Sequence, residues 1–260
     1  DRTILESKEW NKFDRKMQSV SSEVQDDLEI VFAFFYYGGK LPFSHFALMK
    51  IPESDTTDIN TNYTPQVILE EKSKKTAYMK ILSFSGSVSE MDSIMTIVKT
   101  KKYTNLIVDL RDNSGGSVAA GLTFAKNIVD SSFYGGIFLT QKWFNEHKEL
   151  PKVNEYTQFP LFSEANFDLI IEGIHNKKGL CLQVVPNEKV YSGNVFILTN
   201  NNTASTCEPI AYGLKQFKQA TIVGEKTAGA MLNGEIFDLK SGFSLVIPTA
   251  TYYTSDGYKI

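Results

Sequence analysis

Short apolar runs that end in a turn and then a helix constrain this chain more than any other feature. Leu106-Ile-Val-Asp-Leu110 leads through Arg111-Asp-Asn-Ser-Gly-Gly116 into a helical stretch from Val118 to Val129. Val195-Phe-Ile-Leu-Thr199 leads through Asn200 to Ala204 into another, Glu208 to Lys218. Five-residue apolar runs bounded by turn formers are what buried strands use. A third run, Ala220-Thr-Ile-Val-Gly224, follows, and strand patterns occur at Val67–Leu69 and Thr76–Leu82. The latter precede a helix from Glu90 to Lys101 whose Met91, Ile94, Met95 and Val98 share a face. Together these predict an α/β core. Paired strands are expected to continue to Tyr253, and the span from Phe133 to Tyr191 reads as irregular and aromatic-rich.

The N-terminal quarter is built differently. From Leu5 to Tyr37 there is no Pro or Gly, and Trp10, Phe13, Met17, Val20, Val24, Leu28 and Val31 recur at gaps of three and four. That spacing predicts one helix, stopped by Gly38-Gly39. Leu41 to Met49 is too apolar for a free loop, and the polar run Pro52 to Pro65 reads as a surface connection. A chain of 260 residues fits one large domain or a domain with a small companion. The division expected is an N-terminal helical segment, 1–66, ahead of a core, 67–260.

Several function classes are excluded early. With 27 Lys and Arg against 30 Asp and Glu, the chain has no basic excess for tracking phosphates, so no nucleic-acid partner is expected. The longest apolar stretch, Ile30 to Tyr37, falls far short of the roughly 20 residues that span a bilayer, so no integral membrane segment is expected. Cys181 and Cys207 could make one disulfide at most, and no zinc-ligand spacing occurs, so no metal is expected. Only His45, His147 and His175 could supply imidazole chemistry. His147 and His175 lie in charged surroundings that suit surface positions, and His45, between aromatics, suits a core position as well as a base.

Two stretches could carry chemistry. Ser205 lies where a buried strand turns into a helix, and a nucleophile gains there from the N–H groups of the helix start. Ser205-Thr-Cys-Glu208 equally fits a capping box, in which the hydroxyl only caps the helix. Ser114-Gly115-Gly116 could bring backbone N–H donors close to a ligand or could be a plain tight turn. It fits neither a Walker loop nor a dinucleotide fingerprint.

Taken together, these stretches say more. Leu106 to Gly116 resembles the D-L-R-x-N-x-G-G signature of the S41 peptidases, the family of the tail-specific (C-terminal processing) proteases. The tricorn core protease and the interphotoreceptor retinoid-binding modules belong to it too. Thr203-Ala-Ser-Thr-Cys-Glu208 resembles the family's nucleophile motif, and Thr221-Ile-Val-Gly-Glu-Lys-Thr-Ala-Gly229 its A-x-x-V-G-E-x-T-x-G stretch. The three occur in family order, and the similarity runs from about Thr76 to Ile260. The resemblance implies a crotonase/ClpP-like ββα spiral core behind the N-terminal helical segment.

One departure bears on the mechanism. Where tail-specific proteases place their general-base lysine, this chain has Ala230. The tricorn-like branch uses instead a histidine beside a serine, which Ser44-His45 resembles, and a late glutamate after a D-G-x-x-(I/V) turn. Asp256-Gly-Tyr-Lys-Ile260 resembles that turn, so the resemblance implies that the protein continues past Ile260 to a glutamate. Within the given residues, Asp109 and Asp112 are the first alternatives for the acid.

The resemblance implies a serine peptidase acting on a peptide or unfolded protein. Ser205 would be its nucleophile, His45 its base and Ser44 the residue that orients the imidazole. The N–H of Gly115 or Gly116, with that of Thr206, would form the oxyanion hole. No cofactor is implied, and a periplasmic or secreted location is. The alternative is a catalytically inactive module of the same fold binding a peptide or apolar ligand. The aromatic span from Phe133 to Phe167 could line its pocket or simply cover the core.

Overall fold

A computed structural model describes residues 2–50, 64–164 and 166–260. The polar run 52–65 therefore lies outside the described residues, apart from its last two. The chain divides into two compact units, residues 1–62 with 232–251, and residues 63–231 with 252–260.

The first unit opens with three helices, α1 (Arg2–Leu5), α2 (Lys8–Ser21) and α3 (Asp27–Gly38), followed by β1 (Ala47–Lys50). The single helix expected from Leu5 to Tyr37 is thus broken twice. Ser7 caps α2 by accepting the Trp10 N–H, and the Asp26 carboxylate caps α3 by accepting those of Leu28 and Glu29. These side chains satisfy helix-start amides that a continuous helix would have bonded internally. The apolar stripe changes direction at the break. Phe13 and Phe34 are buried with Leu41 against Trp10, Met17, Phe43 and Phe46, whereas Leu28, expected on the same face, is 60% exposed. Phe13 meets Phe34 edge-on with ring centroids 5.3 Å apart.

The second unit is the α/β core. Strands β2 (Val67–Ser73) and β3 (Thr76–Ile81) form an antiparallel pair, and α4 (Val88–Thr100) follows. Next come β4 (Asn105–Asp109) and α5 (Val118–Lys126). The span expected to be irregular holds β5 (Phe133–Thr140), α6 (Gln141–Glu146), β6 (Leu161–Phe162), α7 (Phe167–Ile171) and β7 (Gly179–Val184). β5 runs antiparallel to β7, with a register shift at Tyr134/Gly136, and β6 runs parallel to β7. Because the second half of β5 is buried on both faces, it carries no two-residue alternation for sequence reading to find. The chain returns through β8 (Asn194–Thr199), α8 (Cys207–Gln216) and β9 (Thr221–Gly224).

The main sheet has the order β2-β3-β4-β8-β9, parallel from β3 onward. Its inward positions Ala77, Met79, Ile81, Leu106, Val108 and Ile197 are fully buried, and Met91, Met95 and Val98 of α4 are buried with them. Ile137, Leu139, Trp143, Tyr156, Phe159 and Cys181 form a second cluster. Most aromatics of the 133–167 span are therefore core. Cys181 and Cys207 are both free and buried, so they do not pair.

Two last strands complete the first unit. β10 (Leu232–Asp238) and β11 (Phe243–Tyr253) pair antiparallel, and β11 also pairs antiparallel with β1. This differs from the expected division at 66/67. Leu232–Thr251 cluster with the N-terminal residues because β11 hydrogen-bonds along β1, and only the end of β11 belongs to the core unit. There Tyr252 is fully buried and its hydroxyl donates to the Gly135 carbonyl.

Candidate active site

The parallel strands β4 and β8 lie side by side, so the loops that follow them emerge together. Asp112, at φ +64°, ties these loops: its carboxylate accepts from Asn200 Nδ2 at 2.8 Å and Asn202 Nδ2 at 2.9 Å, while its N–H donates to Asn200 Oδ1. Thr203 is buried and donates its hydroxyl to the Leu110 carbonyl at 2.8 Å. Asn113, fully buried, accepts the Ala204 N–H on its carbonyl and donates Nδ2 to the Ile81 carbonyl at 2.9 Å. These polar groups satisfy one another in a place where an unpaired one would cost free energy.

The scaffold delivers Ser205 half-buried, at φ +55°, between β8 and α8. A non-glycine residue there is strained, and strain of this kind collects at functional turns. Gly115, at φ +100°, packs directly against it: a Cβ added to Gly115 would lie 2.6 Å from the Ser205 Cβ and 3.0 Å from the Thr206 nitrogen. Gly115 therefore fits against Ser205 only because it has no side chain. Its N–H is held by Asn113 Oδ1 at 2.8 Å. Among the described residues the amides of Gly116 and Thr206 donate to no protein acceptor. Thr206 is buried and its hydroxyl donates to the Gly116 carbonyl at 2.7 Å, which fixes the two residues together.

The capping box expected at Ser205 and Glu208 does not form: Thr206 is the N-cap of α8 without a side-chain cap, and the Glu208 N–H donates to the Ser205 carbonyl. The buried Glu208 carboxylate accepts three backbone N–H bonds, from Ser205 at 2.9 Å, Ala230 at 2.8 Å and Gly229 at 2.7 Å. The stretch around Ala230 is thereby pinned to the Ser205 turn. Lys226, the nearest lysine in sequence, is exposed. Cys207 faces the Asn113 carbonyl, and burial pushes its thiol up to about 12, so it stays protonated at neutral pH.

Ser44 and His45 lie in the first unit, where Ser44 Oγ is 2.9 Å from His45 Nδ1. His45 is half-buried at φ +60°, and Gly234 of β10 makes room for it: a Cβ on Gly234 would come within 3.1 Å of the His45 Cβ. The other histidines sit elsewhere. His147 stacks on Trp143 with centroids 3.8 Å apart, and His175 is exposed. Asp109 is committed to a structural pair. It receives Arg111 Nε at 2.9 Å, Arg111 Nη2 at 2.7 Å and the Tyr78 hydroxyl at 2.6 Å. Burial alone would raise its carboxyl, but these hydrogen bonds outweigh it and hold the group at about 2.

Sequence reasoning singled out neither Asn113, Thr203 nor Gly234 for a role. Asn113 and Thr203 lie inside the motifs, but a buried polar residue has no signature that sets it apart from a loop polar residue. No group of His, Cys, Asp and Glu among the described residues could hold a metal ion. An apolar cavity of about 40 Å³ lies between α5, α8, β5 and β7, with Thr206 and Val118 among its lining residues.

A model of the family described as Peptidase family S41 matches residues 75–260. The chain is 26% identical over 185 residues to the carboxyl-terminal-processing peptidase 2, chloroplastic, of Arabidopsis thaliana, covering 70% of this chain and 29% of that protein. It is 24% identical over 202 residues to the carboxyl-terminal-processing protease of Picosynechococcus sp., covering 77% and 39%. The chain thus spans well under half the length of either relative. The solved structure of a lipoprotein from Streptococcus agalactiae matches with a TM-score of 0.63 over 98% of this chain and 82% of that one. At 16% identity that likeness is one of fold.

Proposed function

The chain belongs to peptidase family S41, and we propose that it is a serine peptidase in which Ser205 is the nucleophile and His45 the general base. The observation that carries this reading is the Ser205 turn, a strained serine at a helix start with the Gly115 backbone against its Cβ. Beside it are two amides, of Gly116 and Thr206, with no protein acceptor among the described residues.

In this reading Ser205 Oγ attacks the scissile carbonyl carbon, and its proton passes to His45 Nε2, since Nδ1 faces Ser44. The developing oxyanion accepts from the Gly116 and Thr206 amides, and the N-terminal end of α8 adds its partial positive charge. Each such donor contributes about 3 kcal/mol of transition-state stabilisation. The imidazolium returns its proton to the leaving amine as the C–N bond breaks, and water then hydrolyses the acyl-enzyme. The substrate is a peptide or unfolded protein, and the small apolar cavity that Thr206 helps to line suits a small apolar side chain beside the scissile bond.

Peptide hydrolysis by single-site variants tests the assignment. Ser205→Ala and His45→Ala should each lose activity by 10³-fold or more, on the order seen for catalytic-triad members. Both should keep the native circular dichroism. Lys226→Ala should turn over normally. Full activity in folded Ser205→Ala protein would remove Ser205 from the reaction, and loss in Lys226→Ala alone would point to a lysine base. A wild-type protein that binds peptides and cleaves none would support a binding module of the same fold.

A further inference from the structure

Outside the catalytic elements, the least expected surface is on α3. Its Phe34 faces the unit's own core, and Ile30, Val31, Ala33 and Tyr37 are half-buried. The opposite side carries Leu28, Phe32, Phe35 and Tyr36, which are 60%, 67%, 77% and 61% exposed. On a helix these four positions span about 100°, with Glu29 alone at the edge of the stripe. A helix that is apolar all round belongs in an interior, and a contiguous exposed patch of this kind marks an interaction site.

We propose that this face is the interface between two copies of the chain, packed helix on helix about a twofold axis. The sequence of the stripe is self-complementary. Phe32 lies four residues from both Leu28 and Tyr36, so an axis passing at Phe32 brings Phe32 against its own copy and Leu28 of one copy against Tyr36 of the other. Charge agrees with the antiparallel arrangement. Asp26, Asp27 and Glu29 stand at the start of α3, and Lys40 stands just past its end. Each copy's Lys40, lying over its own Tyr36 ring at 3.5 Å, would face the other's acidic helix start.

The area suits a weak dimer rather than a permanent one. At ~200 Å² for a fully exposed aromatic side chain, the three aromatics alone present on the order of 400 Å² per copy. Two copies together would remove about 800 Å² before Leu28 and the charged rim are added, against 1,200–2,000 Å² or so in stable interfaces. A dissociation constant in the micromolar range is therefore expected.

Sedimentation velocity of the whole chain over about 1–200 µM tests this. The expected result is a monomer–dimer equilibrium whose dissociation constant rises by at least about 30-fold in Phe32→Glu, which sets two carboxylates at the axis. Phe32 is mostly exposed, so this variant should keep the native melting temperature and circular dichroism. Phe32→Cys should cross-link to itself under mild oxidation, whereas Glu9→Cys, on the exposed side of α2, should not. Cys181 and Cys207 are buried and would not interfere. A chain that stays monomeric throughout, or a dimer unaffected by Phe32→Glu, would overturn the proposal. So would a monomer that sediments with anionic phospholipid vesicles through Phe32, since the face would then meet lipid.

Discussion

Gly115 decides how closely the loop after β4 can approach Ser205. Any side chain there would meet the Ser205 Cβ, and its φ of +100° disfavours one even in open space. Gly115→Ala should therefore lower peptide hydrolysis by 10²-fold or more while costing about 1–3 kcal/mol of stability, as measured by denaturant titration. A variant with normal turnover would show that the backbone approach is unimportant. Asp109 makes a separate prediction. Its native carboxyl, near 2, lies below the unfolded value of about 3.9. Its ionised form therefore stabilises the fold above about pH 4, and that stability is lost as pH falls toward 2. Arg111→Ala should lower the melting temperature at neutral pH, and the gap from wild type should narrow between pH 4 and 2. Arg111 is half-exposed, so a large loss is not expected.

At the scale of elements, the carboxylate of Glu208 links α8, the Ser205 turn and the stretch before β10. Glu208→Gln keeps the shape but replaces one acceptor oxygen with an NH₂ that meets backbone N–H groups. The variant should lose about 2–4 kcal/mol in thermal unfolding, and its turnover should fall with the displacement of Ser205. The strands β3, β4 and β8 and the helices α4, α5 and α8 were legible in the sequence because burial leaves apolar runs and three-to-four spacing. The break between α2 and α3 was not. The Asp26 cap that makes it stands among other charged residues, and an apolar stripe can continue in sequence while turning in space. β5 escaped for a different reason, since its fully buried half shows no alternation. Motifs placed Ser205, Gly115, Gly116 and Thr206 on two neighbouring loops, and the structure brings those loops together. The distribution of their amides, with Gly115 bonded to Asn113 and Gly116 left open, depends on an Asn side-chain rotamer that no spacing encodes.

For the molecule as a whole, the division at 62/63 and the joining of Leu232–Thr251 to the N-terminal residues give the two units a discontinuous boundary. Ser205 belongs to one unit, and Ser44 with His45 to the other. Whether Ser205 is an activated nucleophile is decided by labelling with a fluorophosphonate probe. The probe phosphonylates an activated serine with loss of fluoride, and peptide mass mapping locates the adduct. The expected result is one adduct per chain, on Ser205, absent from Ser205→Ala and slowed 10²-fold or more in His45→Ala. No adduct on folded wild-type protein, or an adduct on a different serine, would contradict it.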